Sequence, residues 1–337
     1  MKFVSCQGCA APGSRSLSGV NMTISRRVKA SILRIPGVWL LLIPLRLFNV
    51  WNTILRNQFF AVTRWGFSSR EMTNFTYHST ETSKKRLAII LSKIDGLSSS
   101  DVLRYCDELT RSDLLQAIYL QARSKEKILC NLTDGEFRPG RRILYYCLAR
   151  ALKPKVVFEA GTAHGAGALL ILHALKLNEA EGYPGKLITV DINPNASKLL
   201  KHLPPDYARM VTVIFGDTEH ALAQVTSEID IFIHETVNIV EHENRHYDIL
   251  SKKISRTGII FSPWGLMGTL AEFSDKAGRE YLEFTHQPEN HWNCDTIGIS
   301  LPAKGSPAIK KRSSEVEFSR NERVHSAMKN LERLRSH

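Results

Sequence analysis

The chain predicts an α/β fold: a doubly wound, seven-stranded, mostly parallel sheet behind an N-terminal helical cap, with a basic arm at each end. Three observations carry this. Beyond Lys155 short apolar runs alternate with helix-period segments, which in 337 residues of ordinary globular composition means a parallel sheet with right-handed crossovers. Residues 83–150 read as helix after helix. Charge is also segregated: residues 1–70 hold 10 Lys and Arg and no acid, 71–302 hold 26 against 29, and 303–337 hold 9 against 4. The net charge of +12 thus belongs to the arms, and a slightly acidic body argues against a nucleic-acid groove. The expected divisions are an arm at 1–70, a cap at 71–140, a ligand-binding domain at 141–302 and a helical tail at 303–337.

In the first arm, Ile32 to Val62 is rich in Leu, Phe and Trp but is interrupted by Arg34, Pro36, Pro44, Arg46 and Arg56. No stretch reaches the roughly 20 apolar residues of a spanning helix. Apolar bulk beside an acid-free basic flank suits a segment lying in an anionic membrane surface, with residues 26–62 as the contact. Packing of these residues onto the body or a second subunit, and an organelle transit peptide over 1–35, are the rival readings. In the tail, Val324, Met328, Leu331 and Leu334 share one helical face, fit for a subunit contact or the same surface. The six cysteines are scattered; Cys6 and Cys9 lack the second pair a zinc site needs, and a reducing compartment follows.

Cap helices are expected from the repeats Leu87, Ile90, Leu91 and Ile94, then from Asp101 through Cys106, then from Ser112 as a cap through Tyr119. Arg141 to Leu152 reads as a further helix. Strands are expected at 156–160, 187–191, 211–215, 229–233, 257–261, 281–285 and 296–301, with helices at 168–177, 197–202, 219–226 and 240–253. The last two strands have no helix between them and so finish the sheet antiparallel.

A ligand crevice lies at the carboxyl ends of such strands. In Glu159-Ala160-Gly161-Thr162-Ala163-His164-Gly165 the glycines let backbone approach a ligand, and the next helix offers free N–H groups. The spacing G-x-x-x-G-x-G departs from the dinucleotide fingerprint. Glu159 would oppose a pyrophosphate but suits an ammonium group, and Asp191, ending the second strand, is placed to accept from two ribose hydroxyls. The arrangement fits a nucleoside with a cationic amino-acid tail.

These segments, with Phe215-Gly216-Asp217 and Ile229 to Ile233, resemble successive motifs of the class I S-adenosylmethionine-dependent methyltransferases, and residues 141–302 follow their Rossmann-like order. Within that superfamily the chain is most similar to bacterial small-molecule and sugar O-methyltransferases. The resemblance implies S-adenosylmethionine as cofactor, with Glu159, Gly161, Thr162 and Gly165 around its methionine end, Asp191 at the ribose and Asp217 near the adenine. It further implies a small-molecule, glycan or lipid-linked acceptor; the basic arm adds the expectation of a cytoplasmic protein peripheral to the inner face of a membrane.

Methyl transfer needs alignment of donor and acceptor and, for a hydroxyl, removal of a proton. His234 and Glu235, after the fourth strand, are the candidates for that base. Metal-dependent relatives carry an Asp near there and an Asp-Asn pair after strand five, whereas this chain reads Ser262-Pro263-Trp264-Gly265, which argues against a metal. The same loss leaves a catalytically silent, donor-binding relative as the alternative, with a dehydrogenase third. His242-Glu243-Asn244-Arg245-His246 matches H-E-x-x-H, but no third histidine follows at protease spacing. His291-Trp292-Asn293 stands where acceptor pockets open in this fold.

Overall fold

The computed structural model describes residues 40, 42–71, 77–94, 96–237, 239–263, 268–289 and 294–302. Cys6, Cys9, the arm before residue 40, Trp264 and Gly265, His291 to Asn293 and the expected tail helix lie outside the described residues. The chain divides into two compact units, the first ending at Ser69 and the second beginning at Arg70.

The first unit is a helical rod. Helix α1 (Ile43–Val50) passes through a π-helical turn, Trp51–Leu55, into α2 (Arg56–Ser68) without leaving helical dihedrals. Pro44, expected to interrupt the segment, stands in the first turn, where its missing N–H forfeits no helical bond. The hydroxyls of Thr53, Thr63 and Ser68 donate to carbonyls four residues back, each at 2.7 Å. Large apolar side chains, among them Phe48, Trp51, Phe59 and Phe60, are exposed. Among the described residues no helix is long and apolar enough to cross a membrane.

The second unit opens with α3 (Glu81–Leu91), α4 (Ser99–Thr110), α5 (Asp113–Lys125), α6 (Lys127–Leu132) and α7 (Ile143–Leu152). Thr80 and Ser98 cap α3 and α4 by accepting from the amides of Ser83 and Asp101. Ser112 does not cap α5 as expected. Its hydroxyl meets His173 Nε2 at 3.0 Å instead, tying the cap to α8 (Ala166–Ala180).

Strands β1 (Val156–Ala160), β2 (Lys186–Asp191), β3 (Val211–Phe215), β4 (Ile229–His234), β5 (Ile254–Ser262), β6 (Glu280–His286) and β7 (Asp295–Leu301) form one sheet in the order β3-β2-β1-β4-β5-β7-β6. The first five pair in parallel, and β7 runs antiparallel to β5 and β6, as expected. The helix expected over 197–202 is only a 3-10 turn, Leu200–His202, because Ser197 takes a left-handed conformation (φ 58°) and Leu203 is extended ahead of Pro204. A short helix, α9 (Pro205–Ala208), follows.

Period-2 alternation splits the strand side chains between two cores. Val157, Ile231, Ile233, Ile259 and Phe261 pack with Leu87, Leu91, Val102 and Cys106 of the cap and with α7 and α8, so cap and sheet share one core. Phe158, Phe232 and Ile260 face the opposite layer, made of α10 (Thr218–Gln224), α11 (Val240–Leu250) and α12 (Thr269–Lys276). Helix α7 is buried from Ile143 through Arg150. Arg150 meets Glu108 of α4 at 2.6 Å and Glu181 at 2.8 Å, which fixes the cap against α8. The strand order turns back between β1 and β4, so the crevice opens at their carboxyl ends.

Candidate active site

Glu159 is the penultimate residue of β1, paired in register with Thr189 of β2, and is 2% exposed. Thr189 Oγ1 donates to Glu159 Oε2 at 2.6 Å and lies 2.6 Å from Thr162 Oγ1, so the hydroxyls run Thr162 to Thr189 to Glu159. Burial pushes the Glu159 carboxyl up to about 8, against the Thr189 hydrogen bond, and the charge of Glu235 adds to the rise. The other carboxyl oxygen faces Gly167, where a Cβ would stand 2.6 Å from Oε1 and 3.7 Å from the Arg142 side chain.

The predicted freedom of Gly161 has a second use besides the one expected. Its φ is 95°, and a Cβ there would stand 2.4 Å from the carbonyl oxygen of Glu235, so the glycine admits the β4 loop as well as any ligand. That loop is drawn in by a 2.7 Å bond from the Glu235 amide to the Ala160 carbonyl. The Glu235 side chain turns to α7: Arg141 donates to Oε2 at 2.8 Å and Tyr145 to Oε1 at 2.6 Å. Arg141, 1% exposed, also pairs with Asp295 of β7. Burial opposes ionisation of Glu235, yet the charge of Arg141, then that of Arg142 and the Tyr145 bond hold its carboxyl below the usual range.

A cavity of about 280 Å³ joins these groups, walled on the cap side by Tyr119, Leu129 and Phe137. Of the predicted residues it gathers Glu159, Gly161, Thr162 and Glu235. Gly165 lies buried at the start of α8 (φ 93°), against Leu200. Asp191 and Asp217 stand at the ends of the neighbouring strands. Asp191 accepts from the amides of Ala163 at 2.7 Å and Asn193 at 2.9 Å, shaping the first loop. Asp217 is exposed and caps α10 through the His220 amide at 2.9 Å.

His234 is placed apart from Glu235. Consecutive residues at a strand end point to opposite faces, so His234 enters the layer of α11, fully buried, with its Nε2 2.9 Å from His246 Nδ1. Burial, then neighbouring His246, lowers it to about 3. It does not line the cavity.

Arg141, Arg142, Tyr145 and Asp295 escaped the sequence reading. The available signal was an Arg-Arg pair opening an otherwise apolar helix. Arg142 lines the cavity and its guanidinium has no ion pair among the described residues. The H-E-x-x-H segment is helical as expected, but among the described residues no group of three His, Cys, Asp or Glu side chains is arranged to hold a metal ion.

A family model described as a methyltransferase domain matches residues 158–262. No curated protein matches the chain. Solved structures similar to it include the O-methyltransferase TomG from Streptomyces achromogenes, involved in tomaymycin synthesis and in complex with SAM (15% identity, 66% of this chain and 98% of that one, TM-score 0.42). Another is the O-methyltransferase from Bacillus cereus in complex with SAH (12% identity, 65% and 99%, TM-score 0.41). At such distances these likenesses carry no weight for acceptor or mechanism. The family match and the strand order agree with each other: residues 158–262, which match a methyltransferase domain, span β1 through β5 of the doubly wound sheet.

Proposed function

We propose that the protein transfers a methyl group from S-adenosylmethionine to an oxygen of a small-molecule, glycan or lipid-linked acceptor, without a metal. One observation carries the donor assignment: a buried carboxyl, Glu159, and a guanidinium with no ion pair among the described residues, Arg142, face one cavity. An amino acid presents an ammonium and a carboxylate on one carbon, and this pair of opposite groups complements both. Asp191 and Asp217 then meet the ribose and the adenine, with Gly161, Thr162 and Gly165 shaping the loop between. When bound, the donor supplies an activated methyl group.

Glu235, ionised and held from two sides, sets a fixed negative charge beside the cavity. Its low proton affinity makes it a weak base, so alignment contributes more than proton removal. Both of its oxygens are already committed, which leaves a hard cation a poor ligand set and supports metal independence. His234 acts from outside the cavity. The arm, with exposed aromatic side chains and no acidic residue through position 70, is fitted to an anionic membrane surface where a lipid-linked acceptor would be met.

The test pairs calorimetric titration of the full chain with S-adenosylhomocysteine and with NAD against transfer of labelled methyl from S-adenosylmethionine to extracted envelope lipids and glycans. Homocysteine-nucleoside binding and label in an acceptor support the reading. Binding without transfer to any acceptor favours the catalytically silent alternative, and binding of NAD alone overturns the donor assignment.

A further inference from the structure

The H-E-x-x-H helix has no part in the chemistry above, yet two of its residues turn inward. His246 and Glu243, three positions apart on α11, are 4% and 2% exposed, whereas His242 is half-exposed near Glu219. The inward pair converges on His234. Besides its 2.9 Å contact with His246 Nδ1, His234 Nε2 lies 3.2 Å from Thr236 Oγ1, and His234 Nδ1 lies 3.8 Å from Glu243 Oε1. Tyr247 and Phe232 close the ring faces.

Proton accounting limits what this cluster can be. Two ring nitrogens in contact share one hydrogen, so the accepting imidazole must be neutral for the bond to exist. Burial lowers both rings below the ordinary histidine value and so favours the neutral form of each. In either tautomer His234 Nε2 is shared between the two neighbours: it donates to His246 Nδ1 and towards Thr236 Oγ1, or it accepts from both. Thr236 and Glu235 are adjacent, and both line the cavity. The edge of the cavity is therefore held from two sides, by Arg141 and Tyr145 through Glu235 and by the imidazole pair through Thr236.

We infer that His246 is a positioning residue that acts through His234 to fix the Glu235–Thr236 edge of the donor cavity. The consequence for donor affinity rests on the function proposed above; the positioning itself does not. Substituting His246 removes the partner of His234 Nε2 and frees the ring to turn. The loop then loses its hold at Thr236, and the Glu235 amide opens from the Ala160 carbonyl more often.

The experiment compares wild type, His246→Leu and His246→Asn, the last keeping an amide group where Nδ1 stands. Amide hydrogen exchange is followed in the segment 233–237 without ligand, alongside titration with S-adenosylhomocysteine. In His246→Leu that segment is expected to exchange about tenfold faster while β1 stays protected, with a similar loss of affinity, and His246→Asn is expected to restore both. Unchanged exchange in a folded His246→Leu overturns the inference, as does a His246→Asn variant whose segment opens as far as that of His246→Leu. Should His246→Leu fail to fold, exchange in His246→Asn compared with His246→Ser decides in the same way. If wild type does not bind the nucleoside, the donor assignment fails and the exchange data still judge the positioning.

Discussion

Arg141 and Glu235 meet at 2.8 Å with the guanidinium almost entirely out of water, and Asp295 takes the opposite side of the same cation. One arginine thereby joins the first turn before α7, the end of β4 and the start of β7. Removing it strands two carboxylates in the interior. Arg141→Met is expected to destabilise the protein by about 3 kcal/mol or more in urea unfolding, and Arg141→Lys to recover only part, since one ammonium cannot fork between two acids. Equal midpoints for wild type and Arg141→Met would show the bridge to be without structural weight.

Glu159 gives a pH signature of opposite sign to the usual surface acid. Its folded-state value of about 8 is above its ordinary 4.5. Below the lower value the group is protonated folded and unfolded alike. Between the two the unfolded chain releases the proton and the folded one keeps it, so free protein loses stability as pH rises, by up to about 1.4 kcal/mol per unit. Glu159→Gln cannot ionise, so its stability advantage over wild type should grow across that window while its nucleoside affinity falls. A pH-independent difference between the two melting curves would contradict the buried, neutral carboxyl.

The two glycines of the first loop region should respond differently. Gly161→Ala places a methyl against the Glu235 backbone in a left-handed conformation, and neither can yield cheaply; a loss on the order of 2 kcal/mol or failure to fold is expected. Gly167→Ala meets the tip of the Glu159 side chain and, at ordinary contact distance, the Arg142 side chain, with no backbone in the way. It should melt near wild type and bind S-adenosylhomocysteine more weakly. Thermal melting and calorimetry on both variants check the contrast.

For the arm, flotation with vesicles is the direct check. The full chain is expected to float with phosphatidylserine-containing vesicles, and less so at high salt, while the combined variant Trp51→Ser, Phe59→Ser, Phe60→Ser stays behind. Equal flotation of both proteins, or none with either, would remove the membrane surface as the partner of this helix.

Much of the sheet was legible because its physics is local. Val156–Ala160 and Val211–Phe215 are short apolar runs bounded by loop signals, and they appear with the boundaries their sequence suggests. Glu159 was legible as a candidate because a carboxylate at that strand end opposes a pyrophosphate and suits an ammonium group. What the sequence hides is direction. His234 and Glu235 are neighbours in the chain, yet the pleat sends one to α11 and the other to α7. Ser112 looks like a helix cap until His173, sixty-one residues away, offers a better partner. Arg141 reads as the polar start of a helix, and nothing within ten residues announces Glu235 or Asp295 as its long-range partners.

The most direct measurement is the structure of the full chain crystallised with S-adenosylhomocysteine. The homocysteine amino nitrogen should lie within about 3 Å of a Glu159 oxygen, the carboxylate at the Arg142 guanidinium, and the ribose hydroxyls at Asp191. A nucleoside bound elsewhere, or bound here with Glu159 still capped by Thr189 and turned from the ligand, would contradict the assignment of this cavity to the donor.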